Sequence, residues 1–180
     1  MGSGGGAMSD QAILSFRIGG REIDTYVHEA DGLGPRVQAW MMRVPPLTAK
    51  AWARGLRVVE PDSRPTEMDQ MVLMGYADIG VSSESLEEWY CLLRGCQGDP
   101  DAILRAGVAL RCDPAVRPFA CWRILLDLDD PALEIWSRPP WDGTRVAPFE
   151  RAVRFSWSCA PGVDLSALAE AVYLLRMGKK

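Results

Sequence analysis

Histidine is almost absent from this sequence of 180 residues, in which His28 is the only example. A Ser-His-Asp or Cys-His catalytic site would have to use His28, and a metal site would have no second histidine ligand. His28 follows Tyr26 at the end of a predicted strand and precedes Glu29 and Asp31. We expect an exposed strand-end histidine with no catalytic role. The alternative is a small enzyme, a hydrolase or transferase, that uses His28 with Glu29 and Asp31 as a base or as metal ligands.

The cysteines lack the spacing of a zinc site or a redox motif, because no C-x-x-C occurs among them. Their number, 5, is odd, and the N-terminal stretch has no signal-peptide pattern. We therefore expect free thiols that act as small hydrophobic side chains, a reducing compartment and a cytoplasmic location. The cysteines are Cys91, Cys96, Cys112, Cys121 and Cys159.

Long apolar runs and basic stripes are missing as well. No apolar run approaches the roughly 20 residues that span a bilayer, and the net charge is −4. We therefore expect no membrane span and no nucleic-acid partner.

The acidic residues Asp127, Asp129 and Asp130 lack the glycine-punctuated pattern of a calcium loop, and turn chemistry explains them. No glycine-rich stretch has the lysine of a phosphate-binding loop, so the motifs predict neither a metal nor a cofactor.

What is present is the composition of a globular domain, with 48% hydrophobic and 24% charged residues. Residues 1–10 start with a glycine- and serine-rich stretch and contain a second methionine, which predicts a flexible leader or an expression scar. Residues 11–178 are predicted to form a single domain, with a core large enough to need no disulfides.

The clearest local pattern predicts a β-hairpin near the N-terminus. Residues 12–18 and 21–29 read as strands, and the two glycines between them supply the positive φ of a tight turn. Folding at these glycines pairs Phe16 with Ile23 on an apolar face and leaves charged side chains on the other face. This division is what a half-buried antiparallel pair requires.

The densest apolar and aromatic run predicts a central strand over 119–129, and alternation predicts a second strong strand over 151–159 near it. Capping and glycine signals predict several helices. They cover 47–54, 66–75, 85–95, 99–107 and 164–178, while 36–44 is ambiguous between strand and helix. Because the strand pairs resemble hairpins rather than βαβ units, we predict an α+β domain, with a mostly antiparallel sheet and helices packed on one face.

One stretch after the central strand predicts a protein-binding surface. Asp129, Asp130 and Glu134 would supply charge that steers a partner. Trp136 and Trp141 would be aromatic anchors on a loop stiffened by prolines. In the alternative, the two indole rings fold back as a lid on the core.

These observations favour a non-enzymatic cytoplasmic protein that binds another protein. A partner with a basic surface would be complementary to its acidic residues. Small acidic α+β proteins without catalytic motifs include immunity proteins and antitoxins, and the analogy rests on composition alone. A pocket that contains His28 and ionisable groups with shifted pKa values would favour the enzyme instead. A flat acidic and aromatic patch would favour the protein-binding module.

Overall fold

The structure is a computed structural model that describes residues 11–28, 30, 32–77, 86–139, 143–159, 167–168 and 171–172. Over these residues the strands are β1 (Ala12–Ile18), β2 (Arg21–Val27), β3 (Arg57–Val59), β4 (Val108–Leu110), β5 (Trp122–Asp127), β6 (Ala132–Ser137) and β7 (Glu150–Ser156). The α-helices are α1 (Leu33–Arg43), α2 (Pro46–Arg54), α3 (Glu67–Leu73), α4 (Trp89–Leu92) and α5 (Pro100–Ala106). The predicted leader at 1–10 lies outside the described residues.

The main sheet has the strand order β2-β1-β5-β6-β7. Three of its four strand pairs are antiparallel, so the predicted α+β class with a mostly antiparallel sheet is confirmed. The pair β1–β5 is parallel, which local hairpin patterns did not predict. Parallel neighbours need a long crossover, and here the crossover contains helices α1 to α5 together with β3 and β4, which form a separate two-stranded parallel sheet.

The predicted hairpin is confirmed in its register. Phe16 lies opposite Ile23, and both side chains are buried. Gly19 and Gly20 have φ values of 59° and 73°, the left-handed conformation that suits a two-residue hairpin turn. The local pattern was sufficient here because turn and alternation agree on a single register.

Several predicted boundaries change. The central strand begins at Trp122 rather than at 119, because residues 117–119 form a 3-10 turn. Residues 36–43 of the ambiguous segment belong to helix α1, and the described part of the helix predicted over 85–95 contains only the short helix α4 and the start of a 3-10 turn at 94–96. Ser85 and most of the helix predicted over 164–178 lie outside the described residues; 167–168 and 171–172 are helical.

Two predicted helix starts are confirmed by their caps. Thr66 accepts a hydrogen bond from the backbone N–H of Asp69 and forms a capping box with that residue. Asp99 accepts hydrogen bonds from the N–H groups of Asp101 and Ala102, with Pro100 at the first helical position. Both caps satisfy N–H groups that have no partner within the helix.

The apolar face of the main sheet forms the core. Alternate residues of every strand point to this face, and side chains from α1, α2 and α5 belong to the same core cluster. Trp40 of α1 is almost completely buried and meets the Trp157 ring edge-on at 5.5 Å. The helices therefore pack on one face of the sheet, as predicted.

The opposite face carries ion pairs rather than freely solvated charges. Its members, called here the charged layer, are Arg17, Glu22, Asp24, Arg117, Arg123, Asp127, Asp130, Glu134, Arg151 and Arg154. Ser15 and Asp127 of this face are buried. The charged face of the hairpin is therefore not simply exposed, because Arg123 of β5 pairs with Glu22 and Asp24 of β2, and Arg17 of β1 pairs with Asp127 of β5.

Candidate functional site

The four predicted partner-binding residues that the structure describes do not form one exposed patch. Asp129 anchors the hairpin turn: its carboxylate accepts hydrogen bonds from the N–H groups of Gly19 (3.0 Å) and Gly20 (2.9 Å) and lies 3.2 Å from Nζ of Lys50. The Gly20 and Gly19 N–H groups hold the pKa of Asp129 below its ordinary value. Asp130 has an exposed side chain (87%) that pairs with Arg154.

The expectation that Glu134 is an exposed steering charge is wrong. Its side chain is completely buried in the charged layer and pairs with Arg154 and, at 3.2 Å, with Arg151. The indole N–H of Trp136 also donates to this carboxylate, at 2.9 Å. Alternation along β6 turns Glu134 toward the face opposite the core, but arginines on the adjacent strands cover it.

Trp136 is half-buried, and the guanidinium of Arg123 lies 5.7 Å from its ring centre. The indole N–H and the ring of Trp136 therefore already have partners within the protein, Glu134 and Arg123, although part of the ring is exposed to solvent. Trp141 lies outside the described residues. The charged layer contains five arginines and five carboxylates, so it presents no acidic patch to a basic partner.

A pocket of about 560 Å³ lies next to His28. Its apolar side chains come from Pro61 and from three further regions: residues 93–96, helix α5 with strand β4, and the segment 111–121 that connects β4 to β5. The lining residues are Gln11, Thr25, Tyr26, His28, Pro61, Tyr90, Leu93, Cys96, Gln97, Ile103, Val108, Ala109, Leu110, Arg111, Asp113, Val116 and Phe119.

Hydrogen bonds hold the wall formed by residues 111–121 in place. The N–H of Cys112 donates to the carbonyl of Asp24 at 2.8 Å, which joins this wall to β2. The buried guanidinium of Arg138 donates to the carbonyls of Ala120 (2.9 Å) and Arg117. The wall is thus attached to both the sheet and the chain that follows β6, which favours a preformed pocket.

Two glycines position the wall that contains Cys96 and Gln97. A Cβ at Gly95 would lie 2.7 Å from the carbonyl oxygen of Tyr76. Gly98 has a φ of +70°, and a Cβ there would lie 2.9 Å from Cγ1 of Val27. Only glycine allows both close approaches, which place this wall against Tyr76 at Gly95 and against β2 at Gly98.

Four ionisable groups of the pocket, Cys96, Tyr26, Arg111 and Asp113, are disfavoured as ions by burial or already have partners. Burial raises the pKa of the Cys96 thiol to about 12 and also raises the pKa of Tyr26. Arg111 forms an ion pair with Glu60 at 2.7 Å, and Asp113 accepts a hydrogen bond from the N–H of Ala115. These shifts disfavour thiolate and phenolate, the forms that act as nucleophile or base.

His28 is exposed at the pocket, with its ring centre 6.4 Å from that of Tyr26. No hydrogen bond to a carboxylate or thiol orients its ring within the part of the chain that the structure describes. Glu29 and Asp31, its partners in the enzyme hypothesis, lie outside the described residues. The pocket therefore contains His28, as that hypothesis required, but no described residue completes a catalytic pair with it.

The described residues contain no group of three or more histidine, cysteine or acidic side chains placed to hold a metal ion. All five cysteines are free thiols, and only Cys159 among them is exposed. None of the helices in the described part of the chain combines the length and apolar character needed to cross a bilayer.

Comparisons with known proteins give no relative. No family model, no curated protein and no solved structure matches this chain. The site must therefore be interpreted from its own geometry.

Sequence reasoning identified His28 but missed the pocket. Its lining residues are spread from 11 to 119 along the chain, and no spacing rule joins them. The sequence pattern predicts Tyr90 in a helix and Phe119 in the central strand, whereas the structure exposes both at the pocket and places Phe119 in a 3-10 turn. Their exposure was the one property that could have singled them out, and it depends on tertiary packing.

Proposed function

We propose that this protein binds a small, mostly apolar molecule in the pocket beside His28. The observation that carries the proposal is the pocket itself, whose volume of about 560 Å³ falls within the range of about 300–1,000 Å³ that is typical of small-molecule sites. Most of its lining surface is apolar, with aliphatic side chains from Ile103 of α5 and from β4, and polar atoms make up the smaller share. That division is characteristic of ligand pockets.

Binding without covalent chemistry fits the charges in the pocket better than catalysis does. Burial keeps the thiol of Cys96 and the phenol of Tyr26 protonated at neutral pH. A nucleophile or general base would need the opposite shift. The groups that remain suit recognition of a ligand through apolar contact and hydrogen bonds.

The proposal is tested by calorimetric titration with three naphthalene probes of different charge: 2-naphthol, naphthalene-2-carboxylate and 2-naphthylmethylammonium. At least one should bind saturably with one-to-one stoichiometry. Leu110→Trp, which places a large ring in the pocket, should abolish that binding. Leu47→Trp adds the same ring at an exposed position that does not line the pocket, and it should leave binding unchanged.

Circular dichroism and the Tm establish that each variant is folded. If Leu110→Trp does not fold, Val116→Trp repeats the test at another partly exposed pocket position. Absence of saturable binding by all three probes, or equal binding by the filled and control variants, would contradict the proposal.

A second candidate function, binding of another protein, is supported by a different surface from the one predicted. Helix α3 exposes Met68 (65%), Met71 (69%) and Val72 (68%), and Met74 follows them. Methionine-rich surfaces adapt to partners because the side chain is flexible and polarisable, and an exposed apolar patch is a common mark of an interface. The exposed Glu67 beside them suits a partner with basic residues.

The protein-binding candidate is tested by affinity capture from the native host with matched variants. A partner that uses helix α3 should be lost when Met68 and Met71 are both replaced by glutamate. It should be retained by Met42→Glu, which changes an equally exposed methionine on α1. Capture that is identical for all three proteins would exclude α3 as the interface.

A further inference from the structure

We infer that the ligand of the pocket beside His28 is an uncharged molecule with a planar ring system and one hydrogen-bonding group. This inference rests on the proposed binding function and adds the chemical class of the ligand. It follows from the rings around the pocket, the balance of charge on its walls and the polar atoms that remain unused there.

Rings from separate parts of the chain line the pocket. Tyr26 and His28 come from the end of β2, with ring centres 6.4 Å apart and planes inclined at 48°. Tyr90 comes from α4, and Phe119 from the segment before β5. Aromatic pairs favour offset-stacked and edge-to-face contacts at ring separations of about 4.5–7 Å. A planar ligand can meet several of these rings at once, whereas a flexible aliphatic chain gains only apolar contact.

The walls do not favour a ligand of either charge. Arg111 and Asp113 are the charged lining residues; their charges cancel, and each already has a partner at 2.7 Å. The rest of the lining is aliphatic, aromatic or neutral and polar. Burial of Cys96, which raises the pKa of its thiol to about 12, indicates that a negative charge is poorly solvated at this wall. An ion entering the pocket would lose hydration, and the two charged lining residues, Arg111 and Asp113, already have partners.

A few polar atoms remain to orient one polar group of the ligand. The carbonyl oxygen of the Gln97 side chain accepts a hydrogen bond from Arg94 at 3.2 Å, which leaves its amide N–H groups for a ligand. Thr25 is already committed, because its hydroxyl donates to the carbonyl of Leu14 at 2.8 Å. The Tyr26 hydroxyl and the His28 ring have no hydrogen-bond partner in the described part of the chain. One hydroxyl or carbonyl on the ligand matches this small set.

Arg111 also lines a smaller cleft of about 380 Å³ on its other side. Arg21 and Arg57 lie there together with Glu22 and Asp24, so both signs of charge are present. Asp69 pairs with Arg57, and Arg17 pairs with Glu22 at 2.7 Å. An anionic ligand that met Arg111 or the cations of this cleft would compete with carboxylates already there, and the anionic probe tests that arrangement directly.

The experiment compares the same three naphthalene probes at pH 7 by calorimetry. 2-Naphthol should bind more tightly than naphthalene-2-carboxylate and 2-naphthylmethylammonium, by about tenfold or more, because only the ions lose charge hydration. Equal or tighter binding of either charged probe overturns the inference while leaving the proposed binding function intact. Binding of no probe overturns both.

The hydrogen-bonding part of the inference is tested with Tyr26→Phe. This variant keeps the ring and removes the hydroxyl, so its affinity for naphthalene itself should be unchanged. The advantage of 2-naphthol over naphthalene should fall by about threefold or more, as expected for a lost neutral hydrogen bond. Arg105→Gln, on the exposed side of α5, serves as a control that should change neither affinity. If the ratio of the affinities for 2-naphthol and naphthalene is unchanged in both Tyr26→Phe and Gln97→Leu, neither residue orients the ligand. That result would overturn the hydrogen-bonding part of the inference.

Discussion

Glu134 of β6 and Arg154 of β7 form an ion pair in which the carboxylate is completely buried. They lie directly opposite each other in the strand register. Arg17 also approaches the carboxylate, with Nη1 3.6 Å from Oε1. Glu134 is therefore the acidic centre of the charged layer, and its cost of burial is offset by the cations around it.

Replacement of Glu134 by glutamine should destabilise the fold, because it removes the completely buried carboxylate that Arg17, Arg151 and Arg154 share. These arginines are partly exposed, and Arg17 and Arg154 keep Asp127 as a partner, so we expect a loss of about 1–3 kcal/mol in the free energy of unfolding. Glu87→Gln is the matched control, since Glu87 pairs with Arg64 where both side chains are mainly exposed (62% and 80%). That change should cost no more than about 1 kcal/mol. Urea denaturation of both variants measures the difference, and similar losses would contradict the structural role assigned to Glu134.

Acid should weaken the charged layer through Asp127. Burial opposes ionisation, but the N–H of Asp130 and the guanidinium groups of Arg17 and Arg154 hold the pKa of Asp127 below its ordinary value. Because the unfolded chain then binds a proton more readily than the folded protein, this contribution is complete at neutral pH. It decreases below about pH 5 and is lost as the pH falls through the folded-state pKa.

Asp127→Asn should therefore be less stable than the original protein at pH 7 and should lose less stability between pH 6 and pH 3. Urea unfolding at several pH values measures how the free energy of unfolding of each protein changes with pH. Asp127→Asn should keep part of this pH dependence, because burial raises the pKa of Glu22 but hydrogen bonds from Arg123 and Arg17 lower it below its ordinary value. Parallel pH profiles for the two proteins would rule out a contribution from Asp127.

Asp129 should protect the turn of the N-terminal hairpin. Its two carboxylate oxygens accept the N–H groups of Gly19 and Gly20, so Asp129→Ala should speed amide hydrogen exchange at both glycines. Asp130→Ala is the control, because Asp130 is its exposed neighbour and pairs with Arg154 instead. Exchange measured by NMR should change in the first variant alone. Equal exchange in the two variants would show that the turn does not depend on Asp129.

Gly98 should be required for both stability and the pocket. Alanine there must adopt a φ near +70° and would bring its Cβ to 2.9 Å from Val27, a combination that we expect to cost about 1–3 kcal/mol. Binding of 2-naphthol should weaken as well, since Gly98 follows the pocket residue Gln97. Gly75→Ala is the control, because open space surrounds that glycine and its φ is not positive. Thermal unfolding and calorimetry should distinguish the two variants.

The sequence alone determined the local structures whose contacts join residues close together in the chain. The hairpin register follows from alternation on either side of Gly19 and Gly20, because a one-residue slip would move every apolar side chain to the wrong face. The starts of α3 and α5 follow from Thr66 and Asp99, whose side chains bond N–H groups within three residues. In each case the deciding contact spans only a few residues.

Tertiary structure decided the features that involve distant partners. The parallel pairing of β1 with β5 joins residues more than 100 positions apart, and Glu134 is buried because Arg154 and Arg17 come from other strands. The local sequence around Glu134 and Trp136 would be the same whether the carboxylate faced water or arginines, so it does not predict burial. The pocket beside His28 depends in the same way on walls from β2, α5 and the segment before β5, so its existence follows from long-range packing that residue spacing does not encode.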